Sequence, residues 1–333
     1  MKGMQIPRGK SPYAVVIRVL SVVTLIGLFA INIVGFIDTE TGSAFGCGTQ
    51  WPLCHGAVIP SVWGLHTIIE FMHRALVAVV TILLLGLAVT AWVAYRQWRE
   101  VKVLILISVG FVFVQAALGA IGVVYGDPPA FLASHFGCSL LAFAGVVLLF
   151  IVLRKINRTM VEYERPMPLH SDAVDPRFRF WVWFSLVYIY LAMYVGAYIS
   201  SVGAGDQFRG WPFPTESYSA AHAALYLDWL HRSIALGLVL LMLRLFFLAR
   251  GMRKDRPDLM VASVWTVVFV LAQAVSGALL VFSHVSLWAF LLHVSIISFL
   301  FTALCYLGMQ TLRASNPVKL TVSRPADLGH AKA

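Results

Sequence analysis

Glu70-Phe71-Met72-His73-Arg74 sets a carboxylate, an imidazole and a guanidinium within five residues near the start of an otherwise apolar run. Asp228-Trp229-Leu230-His231-Arg232 repeats the arrangement 158 positions later. A charged side chain inside a bilayer costs about 3 kcal/mol or more unless it is paired or solvated, so both stretches imply buried polar partners. Two further histidines, His135 and His293, follow His73 and His231 at the same spacing of 62 residues. Two imidazoles on separate helices at a common depth can face each other across a four-helix bundle and ligate a heme iron from both sides. A lone histidine on an apolar face is more often a hydrogen-bonded core residue, but two matched pairs turn the balance toward ligation. Zinc fits less well, because the surrounding runs offer no Cys, His or carboxylate cluster beyond Glu70 or Asp228.

The arginines have two readings, which are not exclusive. Glu70 and Asp228 lie four residues before Arg74 and Arg232, the favourable order for an intrahelical ion pair. Equally, a guanidinium near the membrane face suits a heme propionate. Gln115-Ala116 and Gln273-Ala274 match at the same offset of 158, as do Gly119-Ala120 and Gly277-Ala278. Gln115 and Gln273 join the candidate cofactor-binding groups, while the glycines read as ordinary close packing of membrane helices.

These residues must be positioned by membrane-spanning helices. The chain is 60% hydrophobic and 12% charged, with a mean hydropathy of +0.84, whereas about a quarter of a soluble domain's residues are charged. Runs of about 20 apolar residues cross the hydrocarbon core. Eight are readable, at 14–36, 66–94, 102–124, 131–153, 180–200, 222–248, 260–283 and 286–311. The first is long for a signal peptide's apolar region and lacks a small-residue cleavage site, so it reads as a true span. The expected fold is an all-α integral membrane protein of eight transmembrane helices forming two parallel-repeat four-helix bundles. Residues 1–153 form the N-terminal half, 154–179 a cytoplasmic linker, and 180–333 the C-terminal half with its tail. Four spans per half give a parallel repeat, unlike the inverted repeats of many transporters.

The net charge of +10 is a topology signal rather than a nucleic-acid footprint. Of 25 basic residues, 22 fall in the N-terminal arm with the first residues of span one, the connections 2–3, 4–5 and 6–7 with the span ends beside them, and the C-terminal tail. The positive-inside rule then puts both termini in the cytoplasm, with anionic lipid as the basic partner. The four histidines approach the outer leaflet.

The halves differ outside the spans. Cys47 and Cys54 fall in the outer loop 37–65, on the oxidising side where a disulfide persists, whereas Cys138 and Cys305 lie inside spans. The first loop reads Gly46-Cys47-Gly48-Thr49-Gln50-Trp51-Pro52-Leu53-Cys54-His55-Gly56; the second keeps Trp211-Pro212 without cysteine. As a staple, a disulfide closing this loop contributes roughly 2–3 kcal/mol. As a redox element it sits above the first histidine pair, and an exposed disulfide is readily reduced. Both readings stay open.

The two-cysteine loop with Trp-Pro-Leu-Cys-His-Gly, the Glu-x-x-His-Arg of span two, the four histidines and the two four-span halves together resemble the heme A synthase family, over residues 14–311. That resemblance implies an oxidoreductase that converts heme O to heme A, oxidising the C8 methyl to a formyl group through hydroxylated intermediates. It implies His73 and His135 as ligands of the substrate heme, His231 and His293 as ligands of a heme b, Glu70 as catalytic carboxylate, and Cys47 with Cys54 as the family's outer pair. It also implies the inner (plasma) membrane, heme O synthase as the source of heme O, and terminal oxidase assembly as the destination. Two departures stand out: no basic residue precedes Thr41-Gly42-Ser43, and Gly48-Thr49-Gln50 replaces the more usual Pro-Asp before tryptophan. The alternative is a di-heme b-type electron carrier that leaves its hemes unmodified.

Overall fold

The computed structural model describes residues 13–126, 128–163 and 168–315. The basic residues of the far N-terminal arm and most of those of the tail lie outside this range, as do Arg165 and Pro166. Among the described residues the secondary structure is helical, and eight helices are long and apolar enough to cross a membrane. They are α1 (Ala14–Glu40), α2 (Leu65–Tyr95), α3 (Arg99–Tyr125), α4 (Pro129–Tyr163), α5 (Pro176–Ser201), α7 (Ala223–Gly251), α8 (Pro257–Phe282) and α9 (Leu287–Gln310). A single-turn α6 (Tyr218–Ala221) precedes α7. The protein is thus a multi-pass membrane protein.

Several helices outrun their apolar cores. α1 continues to Glu40 and α4 to Tyr163, ten residues past the expected end of its span. Arg154, Lys155 and Arg158 therefore lie on a helical extension of α4 rather than in a loop. α5 starts at Pro176, four residues before the expected span and inside the segment read as a linker: the Asp175 carboxylate accepts from the Arg177 amide at 2.7 Å, and Pro176 occupies the first turn, where a missing N–H costs nothing.

Neighbouring helices close two rings, α1–α2–α3–α4 and α5–α7–α8–α9, and the rings meet where α4 packs on α5 and α9, and α1 on α9. α4 is the most enclosed span, with 72% of its apolar window buried against 39% for α9 and 17–28% for the others. Its Leu140 and Ala144 belong to the core formed with α5, α7, α8 and α9. Aromatic rings fill the seam: Phe299 of α9 lies 5.6 Å from Phe29 of α1 and 6.2 Å from Phe143 of α4. Phe36 of α1 meets Phe136 at 4.9 Å and Phe290 at 5.8 Å. Such contacts carry membrane helix association, since lipid offers no hydrophobic drive for it.

On the side away from Cys47 and Cys54, one buried cation ties the connection before α5 to α8 and α9. Arg256, 2% exposed, pairs bidentately with Asp258 at 3.0 and 2.8 Å and donates to the Ser171 carbonyl at 2.7 Å and the Gln310 carbonyl at 3.3 Å. Removing one partner of such a pair leaves the other charge stranded, at about 3–5 kcal/mol when both are fully buried. Asp258 is partly exposed, so Arg256→Ala is expected to cost on the order of 2–3 kcal/mol, read as a lower melting temperature of the detergent-solubilised protein.

His170 sits in the same cluster. Burial, then the charges of Arg256 and Lys155, lower its pKa from the ordinary 6.5, with Asp258 and Glu100 opposing weakly. The unfolded chain therefore takes up the proton more readily than the folded one, and this contribution to stability is present above pH 6.5 and lost as pH falls below it. Melting at pH 7.5 and pH 5.5 is expected to differ less in His170→Gln than in the parent; an equal difference would remove His170 from the docking.

Candidate functional site

The first turn of α2 is brought against the loop by a glycine. A side chain at Gly46 would collide with the backbone of His66, so its absence lets the loop lie on the helix start. Thr67 Oγ1 donates to the Gly46 carbonyl at 2.7 Å, and His66 Nδ1 and Ser43 Oγ share a bond of 2.9 Å. That approach delivers the Cys47 amide to Glu70, whose Oε2 accepts from it at 2.5 Å. Arg74 Nη2 donates to Glu70 Oε1 one turn below. Glu70, 2% exposed, is thus held on both oxygens by a charged and a backbone donor. Cys47 and Cys54 form a disulfide. Both are buried, at 0% and 2% exposed, rather than lying open on the loop.

The ion-pair reading of both arginines is realised, and each makes a second set of contacts that sequence reasoning missed. Arg74 Nη1 donates to the carbonyls of Gln50 and Leu53, at 3.2 and 3.0 Å, bracketing Trp51-Pro52. Arg232 Nη1 donates to Gly210 and Pro212, at 2.9 and 2.8 Å, while its Nε bonds Asp228 Oδ2 at 2.7 Å. Both Trp-Pro bonds are cis. The recurrence of Trp-Pro and of Arg at matching offsets was the available signal: each arginine clasps its own Trp-Pro loop.

Each of the four histidines lies on a glycine of the neighbouring helix. A Cβ added at Gly35, Gly119, Gly196 or Gly277 would come within 2.9, 3.2, 3.4 and 3.5 Å of Cε1 of His73, His135, His231 and His293 in turn. Gly119 and Gly277 are therefore imidazole seats rather than generic packing points. Gly35 and Gly196 went unread because the first spans match at an offset of 161, not 158.

The seat also orients the ring. His135 Nδ1 bonds the Gln115 carbonyl, one turn before Gly119, at 2.8 Å. A carbonyl only accepts, so Nδ1 carries the proton and Nε2 keeps its lone pair. At His293 the same tautomer follows from Ser276, which gives its hydroxyl proton to the Gln273 carbonyl and so accepts from Nδ1 at 2.9 Å. The Gln273 amide then meets Nε2 at 2.9 Å. His73 lies near the Ile31 carbonyl, one turn before Gly35, but its Nδ1 and that of His231 make no hydrogen bond among the described residues.

All four histidines, Glu70, Arg74, Asp228, Arg232, Gln115 and Gln273 line one cavity of about 1360 Å³. A single small-molecule site holds about 300–1,000 Å³, so this one has room for more than one large ligand. Its wall is mainly apolar, as a flat macrocycle requires. The donor set suits a heme iron: imidazoles seated where only glycine leaves space, with Nδ1–H oriented in one member of each pair, His135 and His293.

A family model described as cytochrome oxidase assembly protein (COX15-CtaA) matches residues 64–305. The chain is 35% identical over 301 residues to a heme A synthase of Bacillus pumilus, covering 89% of this chain and 95% of that one. It is 32% identical over 300 residues to a heme A synthase of Staphylococcus epidermidis and 33% over 303 to one of Listeria monocytogenes. Both alignments cover 90% of this chain and 97% of the relative.

Because Arg74 holds Glu70 and the loop at once, Arg74→Ala leaves a buried carboxylate without its countercharge, a loss on the order of 3 kcal/mol. Limited proteolysis is expected to cut residues 48–60 at least several-fold faster in Arg74→Ala than in the parent; an unchanged cleavage rate would mean the loop is held by the disulfide alone.

Proposed function

We propose that this chain, which belongs to the COX15-CtaA family of cytochrome oxidase assembly proteins in which its relatives are heme A synthases, oxidises the C8 methyl of heme O to a formyl group. As a heme A synthase it is an enzyme acting on heme. The observation that carries the finer reading is that four similar imidazole seats have a disulfide loop, bonded to the longer acid Glu70 rather than Asp228, beside only one pair. Two similar heme sites with unequal surroundings suit one substrate and one resident cofactor.

In this reading the N-terminal half, residues 1–153, holds substrate heme O between His73 and His135, and the C-terminal half, 180–333, would hold heme b between His231 and His293. The segment 154–179 links them. When bound, heme b supplies one-electron redox chemistry. The protein's own residues supply position and field. His73 and Glu70 lie three residues apart on one face of α2, so a macrocycle on His73 presents its edge to the carboxylate. Withdrawing hydride or electrons from a ring methyl builds positive charge there, and a fixed carboxylate in a low-dielectric site stabilises it. Asp228 is one methylene shorter, and the described residues place it against Arg232. Trp51 and Trp211, each clasped by its arginine, roof the cavity.

The distribution of basic residues supports a plasma-membrane enzyme with both termini cytoplasmic and the disulfide on the outer face. Heme O synthase and the assembly of terminal oxidases are its proposed neighbours.

Pigment extracted from cells holding a heme O source, with and without this chain, tests the reading directly: heme A is expected only with the chain. Two unmodified hemes b and no heme A would instead favour a di-heme electron carrier. Glu70→Gln, which keeps the shape but not the charge, is expected to retain heme in both halves and lower heme A formation by about 100-fold or more. His231→Ala and His293→Ala are each expected to abolish the heme b spectrum of the purified protein; a spectrum unchanged in either would place the cofactor elsewhere.

A further inference from the structure

Within the first ring α2 and α3 pack least closely of the adjacent pairs, and less closely than their counterparts α7 and α8. The inward face of α2 is taken up elsewhere: Val80 packs on Gly27 of α1, where an added Cβ would lie 2.6 Å from it. The cavity runs out on the other flank of α2. Its wall there is Ala78, Thr81 and Ile82, facing Ala116, Ala120 and Val123 of α3. Ala78 is exposed and Ile82 is 70% exposed, so the same side chains line the cavity and meet the bilayer.

The second half is narrower at the same place, although Leu236, 61% exposed, also lines the cavity. Leu236 and Val239 stand where the first half has Ala78 and Thr81, and Leu240 and Ala278, the counterparts of Ile82 and Ala120, do not line the cavity. The opening is therefore built by side-chain size at matched positions of one fold. Ala78 and Thr81 lie five and eight residues beyond His73, about 8 to 12 Å further along α2 at 1.5 Å per residue. That depth is away from the polar end, where Glu70 and Arg74 sit, and toward the apolar middle of the membrane.

We propose that the gap between α2 and α3 is a lateral portal, through which the isoprenoid chain of the substrate heme lies out into the hydrocarbon and by which substrate exchanges for product. The inference rests on the reading of the N-terminal half as the substrate half. A farnesyl chain carries no hydrogen-bonding groups and loses about 0.8 kcal/mol per CH₂ when moved from hydrocarbon to water, so an exit into lipid keeps it in its own solvent while the macrocycle reaches the histidines. An unmodified heme has no such chain and needs no such gap, which matches the narrower second half.

Exchanging the two sets of side chains tests this in the full-length protein. Ala78→Leu with Thr81→Val, reconstituted in phosphatidylcholine vesicles, is expected to take up heme O about tenfold more slowly, the scale on which a few methylenes discriminate in an apolar pocket. Uptake of protoheme, which lacks the farnesyl chain, should change little, and the heme b spectrum should persist as the sign of a folded second half. Unchanged heme O uptake, or equal slowing of both hemes, would overturn the portal. The converse variant, Leu236→Ala with Val239→Thr, is expected to let added heme O displace heme b; if the first variant fails to fold, a second half that still excludes heme O overturns the portal on its own. A parent protein that takes up no heme O into the first half would instead sink the functional reading, before any variant is compared.

Discussion

Much of the first half follows from the need to satisfy one buried carboxylate within a membrane helix. Desolvating Glu70 costs several kcal/mol unless its lone pairs are met by charge and by donors. Arg74 supplies the charge from one turn away, and the Cys47 amide supplies a donor from outside the helix. The second contact has structural consequences. The loop must fold down onto the start of α2, which requires glycine at 46, and the same arginine must reach back to carbonyls on both sides of Trp51-Pro52. Disulfide, loop, roof tryptophan and carboxylate therefore form one mechanical unit, and the staple and redox readings of the cysteines converge on one site. A change at sulfur would be felt at Glu70 through a single backbone amide.

A second constraint is seen at the histidines: all four have a glycine seat, and two, His135 and His293, have Nδ1 hydrogen-bonded. For an imidazole to offer Nε2 to a metal in a fixed direction, its Nδ1–H must be held, and in a membrane helix the backbone carbonyls are already engaged by the i→i+4 ladder. A carbonyl has a second lone pair, but side chains of the helix screen it. Glycine one turn further on removes that screen. Gln115 with Gly119 shows the arrangement with its hydrogen bond to His135 formed, and Ile31 with Gly35 has the same spacing. Small residues in membrane helices are usually explained by backbone approach. Here what approaches the backbone is a ring, and the helix spacing is set by an imidazole rather than by another backbone.

The sequence was most legible where a physical rule is one-dimensional. Span number and type follow from apolar length, and the matched His, Arg and Gln positions follow from a constant offset. The charged and amide groups that line the cavity with the histidines, Glu70, Arg74, Gln115, Asp228, Arg232 and Gln273, were named in this way. What was not legible depended on three-dimensional approach. Gly35 and Gly196 were hidden because α1 and α5 are displaced by three residues relative to the rest of the repeat. The arginine-to-loop contacts were hidden because a carbonyl acceptor leaves no signature in residue type. The burial of the cysteine pair was missed because an outer loop reads as solvent-exposed until the helix it packs on is known. Helix ends ran past the apolar segments, as at Arg154 to Tyr163, since a helix ends where capping or proline ends it rather than where the lipid does.

The two halves show which features a shared fold needs and which it can vary. Imidazole seats, arginine clasps and Trp-Pro roofs occur in both, so they belong to holding a large planar ligand. Three differences remain: Glu70 against Asp228, a disulfide loop against one without cysteine, and Ala78 and Thr81 against Leu236 and Val239. Each is local and none disturbs the helix framework, because each sits at the cavity's edge rather than in the seam between the rings. They also lie on one flank of α2 and the loop above it. A site that must admit, orient and release its ligand needs looser walls and a reactive group beside the ligand's edge, whereas a site that keeps its ligand needs neither. The physical contrast between the halves is therefore of the kind that separates a substrate site from a cofactor site, and it is written in side-chain size and reach rather than in fold.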